Sequence, residues 1–240
     1  MPVYVAGRTD VGLVRPNNED RFLIADDIGL ALVADGMGGA ACGEVAAQMT
    51  VDCVAELLRS PATGNGSVIG ALEAAIAEAN RRVWLHAKQT QQCSGMGTTI
   101  VAACWRGPRL VISNVGDSRA YLLRHDQLTQ LSYDQSLVNE LRNNLGLTEE
   151  QIKRYANRNV LTQAIGTSEN VAIRTNEIDF GPGDVVILCS DGLHGIVEDA
   201  EIHEILSQPV VMEVQITRLI DAAKRAGAND NVTIAVIRND

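Results

Sequence analysis

The chain alternates short apolar segments with turn-forming residues. Val3 to Ala6, Phe22 to Ala25, Leu30 to Ala34, Thr99 to Trp105, Leu110 to Val115, Ala120 to Leu123, Asp184 to Cys189 and Val232 to Ile237 are runs rich in β-branched and aliphatic residues, the pattern of strands. Those between 99 and 124 follow one another with only short links such as Arg106-Gly107-Pro108. That is too little chain for a crossover helix, so the neighbours are expected to pair antiparallel. Helices are predicted where apolar residues recur every three or four positions: Val45, Met49, Cys53 and Leu57; Ile69, Leu72, Ile76, Ala79 and Val83; Met212, Ile216, Leu219 and Ala223, ended by Gly227. Shorter helices are expected over Asp199 to Leu206 and around Gln135 to Leu145. Strand pairs lying between amphipathic helices predict an α+β fold in which two antiparallel sheets pack face to face with helices outside.

From Ser132 to Asn170 the chain turns polar and Asn-rich, which marks a surface insertion between core strands. Such a segment is either a lid or substrate-selecting loop, or a plain excursion. No repeat, low-complexity segment or Pro-rich linker divides the chain, so a single domain over residues 1–240 is expected.

Composition sharpens this picture. With 46% hydrophobic residues the chain can bury a core, and with only two Trp, four Tyr and two Phe that core must consist of Val, Ile, Leu and Ala. Thirty acidic against twenty basic residues give a formal charge of −10, the wrong sign for binding nucleic acid or anionic lipid and the right one for multivalent cations. The cysteines at 42, 53, 93, 104 and 189 are odd in number, form no C-x-x-C pair and sit in apolar stretches. They are expected to be free buried thiols, not a disulfide scaffold. With no signal-like N-terminus and no apolar run long enough to span a bilayer, the expected location is cytoplasmic.

Candidate chemistry lies at the strand ends. Leu30 to Ala34 runs into Asp35-Gly36, Leu110 to Val115 into Gly116-Asp117, and Val185 to Cys189 into Ser190-Asp191-Gly192. Asp230 precedes the last strand, and Arg15, Glu19 and Asp20 precede the second. Each Asp-Gly alone is an ordinary turn. If the ends meet at one edge of the sandwich, however, four to six carboxylates converge, and such a group must take up protons or bind cations. An oxygen-rich set without His or Cys suits Mg²⁺ or Mn²⁺ better than Zn²⁺. Gly36, lacking a Cβ, can let its carbonyl approach an ion that Asp35 also ligates, and Arg15 is either a bidentate phosphate holder or an ordinary surface arginine of the loop.

These residues carry a resemblance. Arg15 to Asp20, Asp35-Gly36-Met37-Gly38-Gly39, Gly95-Met96-Gly97-Thr98-Thr99, Val115-Gly116-Asp117-Ser118-Arg119, Leu161 to Gly166, Ser190-Asp191-Gly192-Leu193 and Asn229 to Thr233 resemble, in order and over nearly the whole chain, the metal-dependent PP2C-type (PPM) Ser/Thr phosphatases in their compact bacterial form. The resemblance implies a central β sandwich flanked by pairs of helices, with the insertion at about 132–170 as a flap. It implies two core Mn²⁺ or Mg²⁺ ions and a third: Asp35 bridging the core pair, Gly36 offering its carbonyl to one ion, Asp191 and Asp230 ligating the other, Asp117 with Asp191 at the third, and Glu19 and Asp20 acting through water. Arg15 would bind the phosphoryl group. Attack of a metal-bridging hydroxide on phosphoserine or phosphothreonine, with phosphotyrosine as a further class, is the implied reaction, and phosphorylated proteins are the implied partners of a monomeric enzyme.

Three departures stand out. Ala40 occupies the position of a common family His, a proposed proton donor to the leaving group, so activity on poor leaving groups is expected to be reduced. Gln135 stands where many relatives have His, and Gly195 follows His194 where an acidic residue is common. The loss at Ala40 keeps open an alternative, a catalytically impaired phosphatase-like regulator that binds phosphoproteins. A second rival, dinucleotide binding at Gly36-Met37-Gly38-Gly39-Ala40-Ala41, requires a parallel βαβ unit that the consecutive antiparallel strands contradict.

Overall fold

The computed structural model describes residues 2–38, 42–60, 67–145 and 160–240. Twelve strands are described: β1 (Val3–Asp10), β2 (Arg21–Ala25), β3 (Leu30–Ala34), β4 (Gly36–Met37), β5 (Gly97–Thr98), β6 (Ile100–Arg106), β7 (Arg109–Val115), β8 (Arg119–Arg124), β9 (Gln127–Gln130), β10 (Arg174–Asp179), β11 (Val185–Cys189) and β12 (Val232–Asn239). The described helices are α1 (Gly43–Arg59), α2 (Val68–Gln89), α3 (Leu137–Leu145), α4 (Asp191–His194), α5 (Asp199–Leu206) and α6 (Met212–Arg225). Strands β1-β12-β11-β8-β9 form one sheet, β10-β7-β6-β3-β2 a second, and β4 pairs with β5. Every pairing is antiparallel, which leaves no βαβ unit for a dinucleotide among the described residues.

Alternation along the strands sorts their side chains into layers. Ala31, Val33, Val101, Ala103 and Ile112 of one sheet meet Ala120, Leu122, Val186, Leu188, Ala235 and Ile237 of the other. Leu30, Leu32, Ala34, Ile100 and Ala102 point the opposite way, onto α1 and α2. Ile187, Cys189, Ile234 and Val236 meet α5 and α6. The result is the expected order of helices, sheet, sheet and helices, with a core almost free of aromatic side chains apart from Tyr121 and Phe180.

The predicted helices form, with one shift of face. In α1 the fully buried positions are Ala46, Ala47, Val54 and Thr50, while Val45, Met49 and Leu57 are only partly buried. Small residues face inward because α1 packs closely against α2. Met212, Ile216, Leu219 and Ala223 line the buried face of α6, and Gly227 follows that helix with φ +112°.

One expectation is overturned. Cys42 and Cys93 are joined in a disulfide, with Cα atoms 5.3 Å apart. Their separation of 51 residues hides the pairing in the sequence; it arises because the N-terminus of α1 is laid against the turn Gln91–Cys93. Cys53, Cys104 and Cys189 are the free buried thiols expected. Among the described residues no helix is long and apolar enough to cross a membrane.

Candidate metal centre

The sheet registers bring the predicted strand ends to one edge. Arg21 at the start of β2 pairs with Ala34 at the end of β3, Ile100 with Val115, and Cys189 with both Arg119 and Ile234. Asp20 and Asp35 adjoin these pairs, Asp117 and Asp191 lie two residues beyond them, and Asp230 sits in the loop that leads into β12. A cleft of about 840 Å³ lies over them, lined by Glu19, Asp35, Gly36, Asp117, Asp191 and Asp230, with Arg15 at its rim. Asp20 lies beneath, 1% exposed, where the Ser190 hydroxyl donates to its Oδ2 at 2.8 Å.

Backbone and neutral polar side chains hold the acids in place. The Asp35 amide donates to Thr99 Oγ1 at 3.0 Å, while the Thr98 hydroxyl and the Thr99 amide donate to the Asp35 carbonyl at 2.9 and 2.8 Å. Asn231 ties the two terminal loops together: its Nδ2 donates to the carbonyls of Val11 and Asn17, and its Oδ1 accepts from the Glu19 amide at 2.8 Å. His194 Nε2 lies 3.0 Å from the Asp117 carbonyl oxygen, and burial with the nearby Arg119 guanidinium pushes its ring down to about 3, so it is neutral. None of Thr98, Thr99, Ser190 and Asn231 was singled out in the sequence, although all lie within the quoted motifs.

Two close approaches require glycine. A Cβ on Gly36 would lie 2.3 Å from the Gly43 carbonyl oxygen, and one on Gly192 would lie 1.8 Å from the Asn231 carbonyl oxygen. The first contact brings the loop after β3 onto α1. The second brings the Asp191 turn onto the Asp230 loop.

Crowding shows in the acid strengths. Burial, then the charges of Asp20, Asp191, Asp117 and Asp230, hold the Asp35 carboxyl well above the usual range. Burial and the charge of Asp191 push Asp117 up to about 8; burial, then Asp191 and Asp230 against opposing hydrogen bonds from Thr233 and Ser190, pushes Asp20 up to about 7. Asp191 and Glu19 are raised chiefly by burial. Asp191 Oδ1 is buried with no hydrogen-bond partner. Arg15 is engaged: its Nη2 donates to Asp230 Oδ2 at 2.7 Å.

The donor set fits a hard divalent ion, since it offers clustered carboxylate oxygens, the Gly36 carbonyl, an orphaned Asp191 oxygen and no His or Cys at the cleft. Among the described residues no three such side chains are already arranged around one point as a finished shell. Ala40 lies outside the described residues, as does 146–159 of the insertion. The insertion's base is described: Ser136 bridges to Leu161, the Thr162 amide donates to the Gln135 carbonyl at 2.8 Å, and residues 160–164 line the cleft.

The chain and its fold have close counterparts. The serine/threonine phosphatase stp of Listeria innocua is 36% identical over 238 residues, covering 97% of this chain and 94% of that protein. The crystal structure of the Mycobacterium tuberculosis serine/threonine phosphatase PstP/Ppp superposes with a TM-score of 0.91 at 36% identity, covering 99% of each chain. The catalytic domain of PstP in complex with two manganese ions matches with a TM-score of 0.86 at 36% identity, over 98% of this chain and 97% of that one. The family model for protein phosphatase 2C matches residues 15–230, and the chain belongs to that family.

Proposed function

We propose that residues 1–240 form one metal-dependent phosphatase domain that hydrolyses phosphoserine and phosphothreonine in proteins, with phosphotyrosine as a further class. The observation that carries this is the convergence of Asp35, Asp117, Asp191 and Asp230 on one cleft where Asp191 Oδ1 has no partner. Asp35, the Gly36 carbonyl, Asp191 and Asp230 would hold two Mn²⁺ or Mg²⁺ ions, Asp117 with Asp191 a third, and Glu19 and Asp20 would act through water. When bound, the ions lower the pKa of an attacking water and neutralise charge developing on the phosphoryl group.

The protein's own groups do the rest. Arg15, at the rim, presents a fork of N–H donors to phosphoryl oxygens. The Thr98 and Thr99 contacts fix the Asp35 backbone, so its carboxylate enters the cleft without reorganisation. A methyl group at Ala40 donates no proton, so an alkoxide leaving group draws its proton from water, whereas p-nitrophenolate needs little help.

The decisive experiment is hydrolysis of p-nitrophenyl phosphate and a phosphothreonine peptide with and without Mn²⁺, for the wild type and Asp191→Ala. Mn²⁺-dependent turnover that Asp191→Ala abolishes is expected, together with weaker Mn²⁺ uptake by calorimetry. Peptide binding without turnover would instead establish the regulator, and metal-independent turnover would remove the acids from the chemistry. Monomeric behaviour is part of the proposal and is read by sedimentation.

A further inference from the structure

We propose that Cys42 and Cys93 form a thiol–disulfide exchange site, through which a low-molecular-weight thiol and its disulfide set the cation affinity of the acidic cleft. This rests on the cleft being a cation site and adds to it a covalent control.

The bond sits where it holds the Asp35-Gly36 segment from two sides. Cys42 is the N-cap of α1, and the next residue, Gly43, is packed against the cleft. A Cβ on Gly43 would fall 2.1 Å from Glu19 Oε2 and 2.9 Å from the Gly36 carbonyl carbon. Cys93 closes the turn Gln91–Cys93, and its carbonyl accepts from the Met96 amide at 3.0 Å. Directly after Met96 comes β5, in register with β4 at Gly36↔Thr98 and Met37↔Gly97. The Thr98 hydroxyl then donates to the Asp35 carbonyl. The disulfide through Cys42 and the β4–β5 pairing thus tie the stretch from Cys93 to Thr98 to the segment that carries Asp35 and Gly36 at two points. Opening the bond leaves β5 held to that segment by hydrogen bonds alone.

The remaining cysteines cannot play this part. Burial pushes the Cys53 thiol up to about 11 and the Cys189 thiol up to about 12, and raises Cys104, so none supplies thiolate near neutral pH. Cys42 and Cys93 keep 5% and 8% exposure, and Cys93 is flanked by exposed Gln91, Gln92 and Ser94. In the proposed exchange, opening of this exposed turn admits a small thiolate, which attacks Cys93 Sγ. The Cys42–Cys93 bond breaks, Cys93 becomes a mixed disulfide, and the Cys42 thiolate takes up a proton. A second small thiolate attacks the outer sulfur of the mixed disulfide, releasing the Cys93 thiolate, which is protonated, and the small-molecule disulfide. Two small thiols are oxidised and the protein disulfide is reduced; the reverse reaction restores the bond.

The test equilibrates the full chain in glutathione–glutathione disulfide buffers of graded ratio, with the bonded fraction read by alkylation and mass spectrometry. Mn²⁺ uptake by calorimetry and, in metal-free protein, amide hydrogen exchange over residues 35–38 are then compared between the bonded and reduced forms. Reduction is expected to weaken Mn²⁺ binding by about fivefold or more, the lower end of ordinary coupling between two sites, and to speed exchange over 35–38. Cys42→Ser and Cys93→Ser should match the reduced wild type in every buffer. Equal Mn²⁺ uptake and equal exchange in the two forms, or a bond that persists across all buffers, would overturn the exchange site alone. Absence of Mn²⁺ uptake in both forms would overturn the cation cleft and this proposal with it.

Discussion

Replacing Gly192 with alanine tests whether the cleft depends on two aspartate loops being pressed together. The added Cβ would lie 1.8 Å from the Asn231 carbonyl oxygen and 2.8 Å from its carbonyl carbon, both backbone atoms that no rotamer change can move aside. Ordinary contact begins near 3.4 Å, so the Asp191 turn and the Asp230 loop must separate by more than 1 Å. Neither partner is free to retreat. Ser190 exchanges backbone and hydroxyl hydrogen bonds with Thr233, and Asn231 is held by Val11, Asn17 and Glu19. Overpacking of this kind costs about 1–3 kcal/mol of stability, and a misplacement of about 1 Å among reacting groups costs about 10²-fold in rate. Gly192→Ala is therefore expected to remain folded, with kcat/KM for p-nitrophenyl phosphate reduced about 100-fold at saturating Mn²⁺ and weaker Mn²⁺ uptake by calorimetry. The assay pairs kinetics with a urea melt, so that lost fold and lost geometry are separated. A folded variant with wild-type kcat/KM and Mn²⁺ affinity would show that the Asp191–Asp230 spacing does not matter, and the placement of the ions would fail.

Gly70, on α2, has nothing within 4 Å of its Cβ position, so Gly70→Ala is expected to stabilise the protein by about 0.5–1 kcal/mol in urea with turnover unchanged. Arg119 grips the buried Asp134 through Nε and Nη2 at 2.7 to 3.1 Å and donates to the Tyr121 hydroxyl. Arg119→Met should cost about 3–5 kcal/mol by stranding that carboxylate, with partial recovery on adding Asp134→Leu. In metal-free protein Asp20 and Asp117, at about 7 and about 8, keep protons that the unfolded chain has released. The folded state then binds more protons between about pH 4 and 8, so stability falls as pH rises through that window. Urea midpoints in chelator should be lower at pH 8 than at pH 5.5, with Mn²⁺ narrowing the gap; a flat profile would contradict the crowding.

The layers were legible because their strands are unbroken apolar runs, several stopped by Asp-Gly or Gly-Asp, and because helical spacing survives in α2 and α6. What escaped is what carries little hydrophobic signal. β9 and β10 are edge strands of Gln127–Gln130 and Arg174–Asp179, largely polar because one rim faces water. β4 and β5 are two residues each, held by backbone pairing that no side chain announces. The acids were readable one by one as turn residues, and became a set through their order along the chain. Their supports were not, since a threonine that braces a backbone carbonyl looks like any other strand threonine until β5 and β6 are in register with the end of β3. The Cys42–Cys93 bond likewise depends on the placement of α1, which local pattern does not specify.

A cluster of half-buried carboxylates is a local conflict that a sequence selected only for stability would not keep, because each strongly raised acid costs of order a few kcal/mol once the pH exceeds its unfolded value. The fold absorbs that cost away from the cleft, in a dry sandwich of small aliphatic residues, and leaves the acids at the strand ends where a cation can reach them. The same conflict explains the position of Arg15. Its guanidinium is paired with Asp230, with 55% of its side chain exposed against 33% for its partner. A pair so open to water is worth about 0–1 kcal/mol, so it gives way readily to a doubly charged phosphoryl group. An Asp230 carboxylate committed to a cation no longer competes for the arginine. On the proposed function, a cation taken up at Asp230 would therefore also free Arg15 for the phosphoryl group.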